Sequence, residues 1–333
     1  MKKRFKFFAL SISFMMLLAC SKEDDSSAAI RNHEEQYLID IANIEEFMKT
    51  HYLTVVNHPG YDDDLDVTYT KIPSGGTQVS IWDQTTYPVR NRIVNVTQNN
   101  VNIAYKIYYL ELRTGTGLNG STPSNVDDVL TSFRGEYIYK RTETVDGVTT
   151  NTILGEEFED NRFPQSFLPL SSVRVKGFAE IFPKLKSGDY TGNPDGTITY
   201  FNFGAGIVFI PSGLAYYNQS TPNIPVYSPL VFNVKLYEVQ RADFDEDGVP
   251  SYLEDLNNDG YIYTFPSGTI NPDDTDGDGI PDFKDIDDDG DNFVTKSEIK
   301  NLATNTTYPF NEIPTCGPSG NGKKRHLDPT CHN

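Results

Sequence analysis

The sequence predicts an α+β protein: an antiparallel, strand-rich body with one helix ahead of it and an acidic, ion-binding tail behind it. Three observations carry this. Residues 31–50 place Tyr37, Leu38, Ile41, Ile44, Phe47 and Met48 at helical spacing. From about residue 53 to 238 the chain runs in short apolar stretches, such as Ile93-Val94-Asn95-Val96 and Ile107-Tyr108-Tyr109-Leu110, punctuated by Gly, Pro and Asn. Beyond residue 240 the acids concentrate, and nowhere does helix alternate with strand as in a parallel nucleotide-binding or barrel enzyme.

Composition narrows the class. The 333 residues are 37% apolar and 23% charged, the balance of a folded soluble protein. Tyr and Phe, 20 each, far outnumber the single Trp and four Met, which with 25 Gly and 20 Pro leans toward strands and turns. Against 28 Lys and Arg stand 47 Asp and Glu, a net charge of -19. This argues strongly against a nucleic-acid partner, because neutralising phosphates requires a surplus of basic groups, and cations are the expected charged partners.

The N-terminus reads as an address. Lys2, Lys3, Arg4 and Lys6 precede a largely apolar run over residues 7–19, too short to span a bilayer, so residues 1–19 are expected to be a signal peptide. Cys20 follows directly, and Leu17-Leu18-Ala19-Cys20 resembles the bacterial lipobox, in which the cysteine is acylated; an ordinary cleaved signal is the alternative. Ser21-Lys22-Glu23-Asp24-Asp25 is similar to the export signal of Bacteroidetes outer-membrane lipoproteins. The expected anchor is acyl chains rather than a helix, at the periplasmic face or the cell surface. Cys316 and Cys331 remain as an even pair in an oxidising compartment, read as a disulfide closing the C-terminal loop, with two free thiols as the alternative. The five scattered His form no zinc motif. The organisation expected is a tether over 20–30, a helix plus β region over 31–104, a central domain over 105–238, acidic repeats over 239–300 and a tail over 301–333.

The acidic repeats carry a spacing that charge alone does not require. Between residues 241 and 298 lie 18 acidic and three basic side chains. Asp243, Asp245, Asp247, Gly248 and Glu254 fall at positions 1, 3, 5, 6 and 12 of a calcium loop. Asp274, Asp276, Asp278, Gly279 and Asp285 repeat the pattern, as do Asp287, Asp289, Asp291 and Glu298, with Asn292 at the glycine position. Alternate carboxylates wrap one hard cation, and Gly or Asn accepts the left-handed turn. Asp255, Asn257, Asp259 and Gly260 open a further loop that ends in Pro266 and looks degenerate. The second complete loop ends at Asp285 and the third begins at Asp287, which leaves no room for a helix between them, and Pro250 and Pro281 remove the N–H that a paired EF-hand uses. The run therefore resembles the thrombospondin type 3 calcium repeat. A solvated acidic linker is the alternative; calcium is the expected structural ion.

The central segment resembles an FKBP-type peptidyl-prolyl cis-trans isomerase, with landmarks in family order. Residues 105–117 run as an aliphatic strand into Arg113-Thr114-Gly115-Thr116-Gly117, where the family has Glu-Gly-x-Gly. Val129 to Phe133-Arg134-Gly135 is similar to V-x-V-x-Y-x-G, and Gly155-Glu156-Glu157-Phe158-Glu159 to G-x-x-F-D. Val173-Arg174-Val175-Lys176-Gly177-Phe178 resembles V-I-x-G-W, and Gly188 lies ten residues on, as in the family's M-x-x-G. Ile210-Pro211 with Leu214-Ala215-Tyr216 matches I-P-x-x-L-A-Y, and Ile224-Pro225 with residues 230–236 the closing I-P-x-x-x-x-L-x-F-x-V-x-L.

The resemblance implies an FKBP-like antiparallel sheet wrapped around a short helix and prolyl isomerisation of client polypeptides, without a catalytic cofactor. It further implies a pocket lined by Phe133, Phe158, Val175, Phe178, Ile224 and Phe232, with Tyr216 and the Ile224 N–H as donors. In layout the chain is similar to gliding-motility-associated lipoprotein isomerases. Glu159 stands where the family has Asp, Phe178 where it has Trp, Phe133 where it has Tyr and Gln165 where a second pocket Phe is common, and residues 189–206 exceed the family's turn. These departures imply reduced activity, and make a calcium-dependent surface-binding or adhesion lipoprotein the alternative function.

Overall fold

The computed structural model describes residues 29–98 and 101–332, so the signal segment and Cys20 lie outside the described residues. The chain divides after Arg31, and residues 32–333 form the unit described below. Helix α1 (His33–Thr50) starts where Asn32 accepts hydrogen bonds from the Glu34 and Glu35 N–H groups at 2.8 and 3.2 Å. Glu34 and Glu35 in its first turn and Lys49 in its last complement the helix dipole. Its inner face is Gln36, Asp40, Ile44, Phe47 and Met48. This corrects the apolar face expected from spacing: Leu38 is 62% exposed. Asp40 takes an inside position because its carboxylate accepts from the Ser212 N–H at 2.7 Å, the Ser212 hydroxyl at 2.6 Å and the Gln36 amide at 2.6 Å.

The strands that follow are β1 (His51–Val55) and β2 (Val67–Lys71), paired with each other, then β3 (Arg90–Gln98), β4 (Val101–Arg113), β5 (Asp128–Val145) and β6 (Val148–Asn161). After the short β7 (Leu168–Pro169) come helix α2 (Lys176–Ala179), a hairpin of β8 (Asp189–Gly192) and β9 (Ile198–Phe201), and β10 (Gly204–Ile210) and β11 (Leu230–Gln240). One antiparallel sheet runs in the order β3-β4-β10-β11-β5-β6, with β7 paired to β5. The mixed, mostly antiparallel class expected from the sequence is what the molecule has. Strand β3 precedes residue 105 and yet forms the sheet's edge, so the sheet draws on the N-terminal region as well.

Every residue of β10 is buried, as are the first eight of β11, because the sheet is covered on both faces. On one face Tyr105, Ile107, Val208, Ile210, Phe232 and Val234 meet Phe178 of α2. On the other Leu110, Ile207, Phe209 and Val231 meet Ile44, Phe47 and Met48 of α1, with Val67 of β2. Gly177 lets α2 sit directly on β10, since a Cβ there would lie 2.5 Å from an Ile210 methyl.

The acidic region is turns and short 3-10 segments, ending in α3 (Thr295–Glu298) and the paired β12 (Lys300–Asn301) and β13 (Thr306–Thr307). Its own small core is Val249, Ile299 and Ile313, and Cys316 and Cys331 are joined with Cα atoms 5.6 Å apart. No helix among the described residues is long and apolar enough to cross a membrane.

Asp40 is the polar tie between α1 and the turn after β10. Asp40→Ala is expected to lower unfolding stability by roughly 2–4 kcal/mol, since it removes charge-assisted hydrogen bonds and strands a buried N–H. Chemical denaturation checks this, and a change below about 0.5 kcal/mol would rule the role out.

Candidate functional site

Four phenylalanines from four different elements converge on the α2 face of the sheet. Phe133 comes from β5, Phe158 from β6, Phe178 from α2 and Phe232 from β11. Phe232 lies 5.9 Å from Phe133, 5.6 Å from Phe158 and 5.0 Å from Phe178, centroid to centroid, each edge to face. Phe133 and Phe178 close the ring at 5.4 Å. Such edge-to-face contacts satisfy the aromatic quadrupoles and fix the rings against one another.

Two backbone features put the rings there. Gly135 pairs with Phe232 on one side and Glu159 on the other, and Glu136 already pairs with Glu157, so Phe158 is the extra residue of a β-bulge. The bulge turns its ring over Gly135. A Cβ at Gly135 would lie 2.5 Å from Phe158 Cζ and 2.9 Å from Phe232 Cε1, so the glycine is the floor on which both rings rest.

Val175 and Ile224 are buried beside this cluster, and Tyr216 packs against it half-buried. Burial and the nearby Glu159 charge raise the Tyr216 pKa, so its hydroxyl stays protonated and can donate a hydrogen bond at neutral pH. Glu159 itself is exposed, outside the aromatic cluster. The Ile224 N–H, expected as a free donor, instead donates to Thr221 Oγ1 at 3.0 Å, and the Thr221 hydroxyl donates back to the Ile224 carbonyl at 3.2 Å. The loop's own hydroxyl thus occupies the donor. An open cleft of about 490 Å³ adjoins the cluster, lined by Phe158 and Ile224 with Tyr137, Thr221 and Pro225.

Gln165 does not enter the cluster. It is exposed and lines a separate cavity of about 850 Å³ with Phe163, Tyr200 and Tyr237. The extra length over 189–206 forms β8 and β9 around the turn at Asn193, and its residues Asn193 and 196–200 wall that second cavity rather than covering the aromatic cluster.

The acidic loops share one geometry. We designate them A (243–254), B (255–266), C (274–285) and D (287–298). In each, the position-6 N–H donates to the position-1 carboxylate: Gly248 to Asp243, Gly260 to Asp255, Gly279 to Asp274 and Asn292 to Asp287, at 2.7–3.2 Å. The position-7 N–H of each donates to the position-5 carboxylate at 2.7 or 2.8 Å. Loop B, which looked degenerate in sequence, follows the same path. Oxygens of Asp243, Asp245 and Asp247 lie within 4.8 Å of one another, as do those of Asp274, Asp276 and Asp278 and those of Asp287, Asp289 and Asp291. These trios offer a hard cation the oxygen ligands it takes. Of the position-12 acids, Glu254 comes equally close to Asp247 of its own loop and to Asp288, whereas Asp285 and Glu298 fall outside these groups. Glu298 still feels its own loop: burial, then the charges of Asp289 and Asp291, push it up to about 8. Glu254 is pushed up to about 11 by burial and then by Asp288 and Asp247.

The tail is fastened to the α2 face of the body. Glu180, one residue past α2, accepts from Arg92 Nε at 3.0 Å and from the Tyr263 hydroxyl at 2.8 Å, while the Tyr261 hydroxyl donates to its carbonyl at 2.9 Å. The Arg92 guanidinium lies 3.2 Å over the Tyr261 ring. Asn125 exchanges two hydrogen bonds with the Ile262 backbone. Sequence reasoning missed this contact; the only signal was Tyr261-Ile262-Tyr263, an apolar run inside an acidic tract.

Among protein families, BamM_C, described as BamM C-terminal, matches residues 244–322. No curated protein matches the chain. Among solved structures it is similar to FkpA from Escherichia coli, at 25% identity over 40% of this chain and 48% of that one, with a TM-score of 0.27. The chain thus spans about half the length of FkpA. It is similar also to a peptidyl-prolyl cis-trans isomerase from Pseudomonas syringae, at 23% identity over 40% of this chain and 76% of that one, TM-score 0.27. A third is the N-terminal domain of FKBP42 from Arabidopsis thaliana, at 19% identity over 40% and 86%, TM-score 0.27.

Because two rings rest on Gly135, Gly135→Ala is expected to cost roughly 1–3 kcal/mol by forcing Phe158 and Phe232 apart. A denaturant midpoint unchanged from wild type would show that the rings are not seated on the strand.

Proposed function

We propose that this protein is a peptidyl-prolyl cis-trans isomerase of FKBP type. It is lipid-anchored at the outer membrane through Cys20, carries a calcium-ordered C-terminal region, and acts on proline-containing segments of exported polypeptides. The observation that carries the reading is the convergence of Phe133, Phe158, Phe178 and Phe232, residues matched to the family by motif order, beside the Tyr216 hydroxyl.

A prolyl amide resists rotation by about 18–20 kcal/mol because twisting it breaks resonance. An apolar aromatic surface that strips water from the carbonyl disfavours the planar, charge-separated amide relative to the twisted one. Tyr216, protonated at neutral pH, is the side-chain donor available to hold the carbonyl. The Ile224 N–H joins it only when Thr221 lets go. That internal bond favours a second reading, in which the domain grips proline-containing partners without turning them over.

A prolyl-isomerisation assay on the full-length protein in detergent separates the two. Acceleration over the spontaneous rate is expected, lowered about tenfold by Tyr216→Phe, the weight of one hydrogen bond, and lost in Phe232→Ala. Thr221→Val, which frees the Ile224 N–H, is expected to raise the rate. No acceleration in the wild type or in Thr221→Val would leave the binding reading in force.

The calcium reading rests on the four matching loops and on the carboxylate trios of loops A, C and D. Occupancy at Kd values of about 10⁻⁴ to 10⁻³ M is expected for the weaker loops. Removing metal leaves the trios to repel, so limited proteolysis is expected to cut within 241–298 in chelator and spare it in millimolar calcium. Equal cutting in both would contradict it.

A further inference from the structure

We propose that Asp247, Glu254 and Asp288 hold one hard divalent cation, calcium by its ligand chemistry, between loops A and D; this rests on reading the tail as calcium-binding. In a loop of alternate ligands, positions 1, 3 and 5 face the ion and position 2 faces away. Asp288 is position 2 of loop D, and the repeat gives it no task there. The structure aims it across at loop A. Its carboxylate comes within 4.8 Å of ligand oxygens on both Asp247 and Glu254, which are distant from it in sequence.

All three side chains are about 2% exposed. Among the described residues, neither carboxylate oxygen of Glu254 nor of Asp288 has a hydrogen-bond partner, and Asp247 Oδ2 has none. The Thr295 hydroxyl accepts from the Asp288 backbone N–H at 3.2 Å. Buried carboxylates are tolerated when paired, hydrogen-bonded or bound to metal, and these three face one another. Asp282 shows the contrast: it is as deeply buried, yet its carboxylate accepts from the Thr275 N–H and hydroxyl, both at 2.7 Å, and it lies outside the trio. An all-carboxylate set without nitrogen or sulfur selects calcium over zinc. Loop A is in turn tied to the body, because Asp127 accepts from Arg241 at 2.6 Å and from the Ala242 N–H at 3.2 Å. The ion therefore locks loop D to the segment that leaves β11.

The test is calcium stoichiometry by calorimetry and equilibrium dialysis on the metal-stripped full-length protein in detergent. The variants are Glu254→Gln, Asp288→Asn, the two combined, and Asp276→Asn in loop C. Each single variant at Glu254 or Asp288 is expected to weaken the same one site tenfold or more, and the double variant to lose no further ion. Asp276→Asn is expected to affect a different ion, additively with Asp288→Asn. Asp288→Asn is isosteric and keeps the backbone N–H bond to Thr295, so it stands as the decisive variant even where Glu254→Gln folds poorly. Wild-type binding retained in Asp288→Asn, or losses at Glu254 and Asp288 that add to two ions, would overturn the proposal while leaving the calcium reading intact. A wild-type chain that binds no calcium would overturn both.

Discussion

The structure depends on the burial of one sheet on both faces. Strand β10 has no exposed residue, and β11 is buried along most of its length. A sheet apolar on two sides has to be covered twice. One cover is α1 with β1 and β2, and the other is α2 with the aromatic residues around it. Asp40 joins the two, because the turn it holds through Ser212 leads from β10 into the segment carrying Tyr216. The N-terminal region is therefore part of what makes the central sheet stable.

The aromatic cluster inherits its geometry from that sheet. Phe133 and Gly135 share a face of β5, and Phe232 opposes Gly135 across the ladder. The bulge at Phe158 adds the ring that regular pairing would have sent the other way. Phe133 and Phe178 pack edge to face, with the adjoining cleft opening at Phe158 and Ile224. The same α2 segment that supplies Phe178 ends at Glu180, where the tail is fastened. The acidic region and the α2 segment thus meet at one buried carboxylate.

The tail is held together by a different balance. Its apolar core is small, and its loops curl through backbone N–H groups donated to their own carboxylates. Those bonds orient the acids and, among the described residues, leave buried oxygens of Asp247, Glu254 and Asp288 with no hydrogen-bond partner. Concentrating unneutralised negative charge in this way is unfavourable.

Much of this was legible in the residues alone. The helix, the strand-rich body, the turn at residues 193–196 and the calcium-loop spacing of the acids are local patterns, fixed by periodicity and by which residues accept a left-handed turn. The order of the FKBP-like motifs was legible too, because each is a short run along one strand or turn. What only the tertiary structure decided were matters of partner. Leu38 points outward while Asp40 points in, the Ile224 N–H is taken by Thr221, and Gln165 serves a different cavity. Asp288, silent in its own loop, meets Glu254 of another. Spacing along a chain sets which way a side chain faces relative to its neighbours; what it then meets depends on segments far away in sequence, and those are brought together only by burial of the sheet and the closing of the loops.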